Sequence, residues 1–510
     1  PVTPPTTLAA VWRRLVREGL VRLREGAPAP APAPDRPVAN VTTDSRQVGE
    51  GTLFCAIVGT ESDGHRYLAE AEARGAAGAL VEVTDPALAL PQVEVVAGRP
   101  AAAHAAAELY RDPWRELTLV GVTGTNGKTT SAAILRHLLG TRGPAASVGT
   151  LGAVGPDGRV VPGTEGLTTP GPAEAARWLR LFADAGVEGV AMETSSHALD
   201  QDRLAAVRFD AAVFTNLTRD HLDYHGTMEA YRAAKLRLLG LLKPGGAAVL
   251  NAGDPAWRGV GDFGGRVVRF GVGVPGAEVR AEEVALGPGG MEWTLVVPGG
   301  RARVRLPLFG AYNVENALGC AAALWSLGWS AAEVAAGVET LPQVPGRLER
   351  VAGPPDSATV VLDYAHTPDA LERALLALRP LVRGRLVVVF GAGGDRDHGK
   401  RPLMGEVAAR LADLAVVTSD NPRTEDPERI LDDIERGMGS APRLRLSDRR
   451  EAIRRALLEA GEDDLVLLAG KGHETYQQVG REQRPFDERA VVREVLAGRE
   501  TTAGHRGGAG

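Results

Sequence analysis

The sequence predicts an α/β protein built from three domains, and three observations carry that reading. Its 510 residues amount to about three domains at roughly 150 residues each. Short apolar runs alternate with helical stretches through most of the chain, the pattern of βαβ units and parallel sheets. Polar clusters follow the apolar runs directly, where open α/β sheets place their ligands. The expected limits are 1–115 for a small α/β domain, 116–342 for a central domain with a parallel sheet, and 343–500 for a doubly wound, Rossmann-like domain.

Leu8 to Glu25 has amphipathic spacing and reads as one helix. Gly26 to Pro34 alternates Ala with Pro, an extended polyproline-type spacer. Between Val38 and Arg111 the apolar runs Leu53 to Ile57, Gly78 to Val83 and Val93 to Val96 read as strands separated by Ala-rich helices. A second region opens with Leu117 to Val122 and includes Gly189 to Met192, Ala211 to Phe214 and Ala247 to Leu250. Residues 265–308 alternate in hydrophobicity and read as a β-rich insertion; Pro342 to Arg347 reads as a linker. The third region repeats four apolar runs, Thr359 to Leu362, Arg385 to Phe390, Leu414 to Val417 and Asp464 to Leu468. Residues 501–510 are Gly-rich and read as a disordered tail.

Composition narrows the function classes. Hydrophobic residues are 44% and charged residues 24%, the balance of a globular protein. No run of 18 apolar residues appears, so no membrane partner is expected. A net charge of -6 predicts no nucleic-acid partner. Pro1 to Thr7 lack the basic and apolar regions of a signal peptide, and two cysteines exclude a disulfide framework, so a cytoplasmic protein is expected; a monomer is the expected assembly.

Of 58 basic residues only five are lysines, Lys128, Lys235, Lys243, Lys400 and Lys471. Where the two are interchangeable this chain uses arginine. A retained lysine therefore marks a position where a compact ammonium, or an amine able to lose its proton, is required.

Val122-Thr-Gly124-Thr125-Asn126-Gly127-Lys128-Thr129-Thr130 follows an apolar strand and precedes a helix from Ser131 to Leu139. Glycines let backbone N–H groups turn inward around phosphate oxygens; Lys128 reaches the β/γ-phosphates and Thr129 offers a hydroxyl to Mg²⁺. The general phosphate-loop pattern wants glycine at 122, so Val122 with Gly124 makes this a variant. ATP and Mg²⁺ are the expected cofactors. Two further strand ends carry Met192-Glu193-Thr-Ser-Ser-His197 and Asn216 to Gly226, and Lys235 follows on a helix read as solvent-reachable. Glu193 and His221 are ligand types suited to Mg²⁺ or Mn²⁺ beside a triphosphate.

These motifs resemble the ATP-dependent Mur ligases. The resemblance rests on Gly124 to Thr130, Met192 to His197, Asn216 to Gly226 and Tyr231 to Lys235, together with Thr43-Asp-Ser-Arg46 and Asp63-Gly-His65. Leu167 to Pro170, Gly310 to Asn313, Pro345-Gly-Arg347, Asp363 to His366, Gly391 to Pro402, Asp420 to Arg423 and Gly470 to Glu474 extend it over about residues 40 to 490. Thr194 stands where Val is usual and Asp200 lies between motif residues; neither disturbs the quoted contacts.

The resemblance implies a uridine-nucleotide-binding first domain, an ATP-binding central domain and an amino-acid-binding third domain. It implies catalytic roles for Lys128, Glu193, His221 and Lys235, with Thr129, Glu193, His221 and a carbamylated Lys235 holding Mg²⁺. ATP would also meet Gly124 to Thr130, Asn313, Arg347, Asp363 and His366. The UDP-linked substrate would meet Ser45, Arg46, Thr168, Thr169, Ser195, Gln201 and Arg203. The amino acid would meet Arg396, Asp420, Asn421, Pro422, Arg423, Gly470 and Glu474, with Pro422 setting the turn that presents Arg423. The implied reaction joins meso-diaminopimelate to UDP-N-acetylmuramoyl-L-alanyl-D-glutamate through an acyl phosphate, in peptidoglycan precursor synthesis. Lysine or ornithine as acceptor stays open. So do a folylpolyglutamate synthetase-like ligase, which does not need Asp44-Ser-Arg46, and a scaffold that has lost its chemistry.

Overall fold

The computed structural model describes residues 6–22, 35–59, 62–261, 263–287, 290–353 and 357–504. The spacer expected at 26–34 lies outside these residues. The first helix is shorter than its spacing suggests, Leu8–Arg17. Gly19 stops it: at φ 69° it adopts the left-handed conformation, and Leu20 N–H turns back to the Leu15 carbonyl (2.8 Å). Val21 then pairs with Val95 as an extended bridge.

Three sheets follow. The first is four-stranded and parallel, in the order β1 (Asn40–Thr42), β2 (Thr52–Cys55), β3 (Gly78–Val81), β4 (Gln92–Glu94). The second has ten strands. They are β5 (Thr118–Thr123), β6 (Ala145–Gly149), β7 (Gly152–Val154), β8 (Gly189–Glu193), β9 (Phe209–Phe214), β10 (Leu242–Asn251), β11 (Arg266–Val272), β12 (Val279–Gly287), β13 (Gly290–Val297) and β14 (Gly300–Leu306). Its order is β14-β13-β12-β11-β10-β9-β5-β8-β6-β7. β5 lies between β8 and β9, parallel to both, so the carboxyl ends of all three open on one edge. The β-rich insertion is the extension β11 to β14, antiparallel in its last two pairings.

The third sheet holds β15 (Glu349–Ala352), β16 (Thr359–Asp363), β17 (Leu386–Phe390), β18 (Leu414–Val417), β19 (Arg443–Arg445) and β20 (Leu465–Ala469). Its order is β15-β16-β20-β17-β18-β19, parallel except for β15. The four expected strands form its centre. The edges β15 and β19 and a hairpin of β21 (Tyr476–Val479) and β22 (Glu482–Pro485) are additions, being short and polar enough to escape an apolar-run reading. The final helix runs Glu488–Gly504, through the first residues expected to be tail; 505–510 lie outside the described residues.

The cores divide unevenly. Leu15, Val95, Trp114, Phe182 and Phe209 belong to one buried cluster that joins the first sheet to one face of the second. The third sheet is covered on its two faces by clusters of its own, around Leu371 and Phe390 on one side and Val389 and Ile453 on the other.

Candidate active site

The carboxyl ends of the second and third sheets face each other across a cleft of about 640 Å³. One wall is the phosphate loop. Gly124 (φ 149°) and Gly127 (φ 88°) occupy conformations that side chains avoid, and a Cβ at Gly124 would come within 1.8 Å of Thr215 Oγ1. Asn216 Oδ1 accepts from Asn126 N–H (2.9 Å), and Thr215 donates to the Asn126 carbonyl (2.7 Å). The loop is thus clamped by the residues after β9. The helix Lys128–Leu139 points its N-terminus into the cleft, a ready anion site.

Two lysines converge on one oxygen. Lys128 Nζ and Lys235 Nζ donate to the Gly124 carbonyl at 2.9 and 2.7 Å. Burial, and for Lys235 also the nearby Lys128, pulls both amines below the usual lysine range, Lys235 far below it. The expectation of a solvent-reachable Lys235 is wrong: the residue is 1% exposed, its amine 4.5 Å from the Tyr231 ring centre. The helix Met228–Leu236 turns Lys235 inward together with Tyr231 and Ala234, a face that a short polar helix does not advertise in sequence.

Glu193 at the end of β8 is buried and accepts from Thr129 Oγ1 (3.1 Å), Thr150 N–H (2.8 Å) and Thr150 Oγ1 (3.1 Å). Burial raises its carboxyl pKa, against the lowering effect of Lys128. His221 lines the same cleft beside Asp220 (3.3 Å) and the His197 ring (4.8 Å), in a left-handed backbone conformation and depressed to about 4, mainly by burial. Burial alone would raise Asp220, but His221, His366 and Lys128 around it hold it low.

Thr169 donates to the Glu193 carbonyl (2.8 Å) and accepts from Ser195 N–H (2.9 Å), while Arg203 reaches the Thr169 carbonyl (3.3 Å) and Gln201 (2.7 Å). Thr168, Thr169, Ser195 and Arg203 line the cleft. Ser45 and Arg46 do not: they lie in a short helical turn between β1 and β2, where Arg46 is paired with Asp44, its side chain 85% exposed.

The facing wall comes from the third sheet. Arg347 crosses to Thr129 Oγ1 (3.0 Å), and Asp369 accepts from Asn126 Nδ2 (2.7 Å). His366, Arg396, Asp420, Asn421, Arg423, Gly470 and Glu474 line the cleft, as their positions after β16, β17, β18 and β20 predict. The Asp363 carboxylate lines it too but is bonded to Leu348 and Ala365 N–H. Asn313, expected at ATP, does not reach the cleft: it is 1% exposed and bonded to Phe309 and Asn316, and its helix presents Tyr312, Glu315 and Asn316 there instead. Pro422 also stands outside the lining. Arg423 is presented by the hairpin, its N–H donating to Gln478 and its carbonyl accepting from Gly480. That pairing holds Arg423 at φ 51°, and its guanidinium donates to the Gly394 carbonyl (2.6 Å).

Sequence reasoning did not assign Thr150, Asp220 or Lys400 a role, yet all three line the cleft. Lys400, bonded to the His366 carbonyl (2.9 Å), carried a signal in being one of the few lysines. Thr150 carried none, since β6 and its turn hold no other polar motif.

Comparison with known proteins decides the family. The Mur ligase middle domain matches residues 122–324, the Mur ligase glutamate ligase domain 346–472, and the Mur ligase family catalytic domain 37–117. The chain belongs to the Mur ligase family. This Mur ligase is 46% identical to the UDP-N-acetylmuramoyl-L-alanyl-D-glutamate--2,6-diaminopimelate ligase of Gloeobacter violaceus, over 92% of this chain and 96% of that one. The Pseudomonas aeruginosa protein of the same name is 42% identical over 90% and 95%. A solved structure of a ligase with that name superposes with a TM-score of 0.64 at 32% identity, over 98% of this chain and all of the other. Folylpolyglutamate synthase of Mycobacterium tuberculosis, complexed with ADP and AMPPCP, shares the fold at 20% identity and a TM-score of 0.58 over 72% of this chain. Among the described residues no helix of this Mur ligase is long and apolar enough to cross a membrane.

Proposed function

We propose that this Mur ligase joins meso-diaminopimelate to UDP-N-acetylmuramoyl-L-alanyl-D-glutamate, with ATP cleaved to ADP and phosphate. The observation that carries it is one cleft holding a phosphate-binding wall and, opposite, a wall with both a guanidinium and a carboxylate for a zwitterionic acceptor. The substrate carboxylate attacks the γ-phosphate, ADP leaves, and the acyl phosphate is attacked by the acceptor amine. A tetrahedral intermediate forms, and it collapses to amide and phosphate. Both steps build negative charge, which Lys128, Arg347 and the loop N–H groups are placed to stabilise. Thr168, Thr169, Ser195, Gln201 and Arg203 would hold the dipeptide, while Ser45 and Arg46 would meet the nucleotide on the first domain.

The donor set fits Mg²⁺: Thr129, Thr150 and Glu193 offer hard oxygens around one point, and Mg²⁺ favours few protein ligands completed by phosphate and water. Among the described residues no three His, Cys, Asp or Glu side chains converge as a protein-only metal cage. Bound there, the ion would neutralise charge developing on the phosphates. A neutral amine is the form that adds CO₂, so the burial of Lys235 supports carbamylation, with one proton released. Domain limits at 115/116 and 342/343 are supported by the three sheets and family matches. Two buried, unpaired cysteines support a reducing compartment, the cytoplasm.

Phosphate release measured with the UDP-dipeptide and a panel of meso-diaminopimelate, L-lysine and L-ornithine tests the reading. Turnover preferring meso-diaminopimelate is expected. Equal use of lysine or ornithine would overturn the acceptor, and release that does not depend on the UDP-dipeptide would overturn the ligase.

A further inference from the structure

The acceptor wall contains a charge that none of the roles above uses. Lys471 is 0% exposed and lies behind the pocket, outside the lining. Its ammonium is 3.3 Å from Asp420 Oδ1 and 3.6 Å from Glu474 Oε2. It donates to Asn421 Oδ1 and to the Tyr476 carbonyl, both at 2.9 Å. Asn421 Oδ1 also accepts from Gln478 N–H (2.9 Å), which fixes the amide orientation, and Asn421 Nδ2 donates to Glu474 Oε2 (3.0 Å).

Resting on the acceptor reading, we propose that Lys471 is a positioning residue that sets both the place of the Glu474 carboxylate and the net charge of the acceptor pocket. Asp420 and Glu474 are two buried acids sharing one small space, and like charges so placed repel. The Lys471 ammonium lies against both acids, with Arg449 also acting on Asp420, so Glu474 is the acid answered by Lys471 alone among these two cations. The relay from Lys471 through Asn421 holds that charge where the acceptor meets it. Four oxygens surround the ammonium, a convergence that suits a compact point charge rather than a planar guanidinium, in a chain where only five of 58 basic residues are lysines. Without Lys471 the pocket turns more negative. It then discriminates less well between an acceptor whose distal carbon bears a carboxylate and one that lacks it.

The test is steady-state kinetics of the full-length enzyme carrying Lys471→Met, with Lys471→Gln as a second variant that keeps a donor but drops the charge. The acceptor KM is expected to rise about tenfold or more, with KM for ATP and for the UDP-dipeptide within about twofold of wild type. The preference for meso-diaminopimelate over L-lysine is expected to fall at least about fivefold. Equal loss for all three substrates, or failure of both variants to fold by circular dichroism, would assign Lys471 to overall stability and overturn the proposal. Arg423→Ala run in parallel separates the two readings. If Arg423→Ala loses the acceptor and the Lys471 variants do not, only the Lys471 proposal falls. If Arg423→Ala leaves acceptor kinetics unchanged, the acceptor site itself is misplaced.

Discussion

The two walls of the cleft reach similar complexity by different routes. The phosphate wall is largely one continuous piece of chain, strand β5, its loop and the helix Lys128–Leu139, clamped by the residues after β9. The acceptor wall is assembled from the ends of β17, β18 and β20 and from a hairpin that pairs with Arg423. The cations differ as well. On the phosphate wall two buried amines converge on one carbonyl, both held below the usual lysine range. On the acceptor wall the acids are already partly answered from within, by Lys471 and by Arg449, which lie near Asp420. A site for a polyanion can be built from local geometry; a site for a zwitterion needs opposite charges held at fixed separation, and distant segments supply them.

Lys128→Ala should have the largest effect, since it removes a cation from the phosphate wall alone. Phosphate release and ligation should fall about a thousandfold, with the acceptor KM little changed. A comparable loss of acceptor binding would show that the walls are not separable. Lys235→Ala should cost about a hundredfold, partly restored by short-chain carboxylates that stand in for the missing carbamate. Near wild-type turnover in the unsupplemented variant would sink the carbamate assignment.

On the opposite wall Arg423→Ala should lower kcat/KM for meso-diaminopimelate about a hundredfold, in line with ~2–3 kcal/mol for a charged hydrogen-bonded pair. The KM for ATP should hold steady; a matching rise there would blur the distinction between the walls. The smallest effect concerns acid stability. His473, beside the Tyr364 ring, is depressed to about 4, first by burial and then by Arg347 and Arg489. The folded state therefore binds fewer protons than the unfolded one between about pH 4 and the ordinary histidine value near 6.5. Stability should fall as pH drops through that window. His473→Gln should remove part of that slope, on the order of 1 kcal/mol after allowing for partial exposure, read from melting temperature against pH.

The phosphate loop, the four central strands of the third sheet and the β-rich insertion were legible in sequence because each depends on near neighbours: glycines that free a loop, alternation that fits a pleat, apolar runs that fill a sheet. The scarcity of lysine was legible too, and Lys128, Lys235, Lys400 and Lys471 all lie in or behind the cleft. Tertiary structure alone decided where those lysines point. A helix as short as Met228–Leu236 has no apolar stripe long enough to announce that Lys235 faces inward; only packing beneath Gly124 makes it so. Tertiary structure likewise brought Tyr312, Glu315 and Asn316 rather than Asn313 to the cleft, added Thr150 to Glu193, and paired Arg423 with the hairpin β21–β22 while the turn from Pro422 to Glu425 carries it. Each of these depends on contacts between segments far apart in the chain, whose register is set by sheet order and core packing, and no local pattern encodes that register.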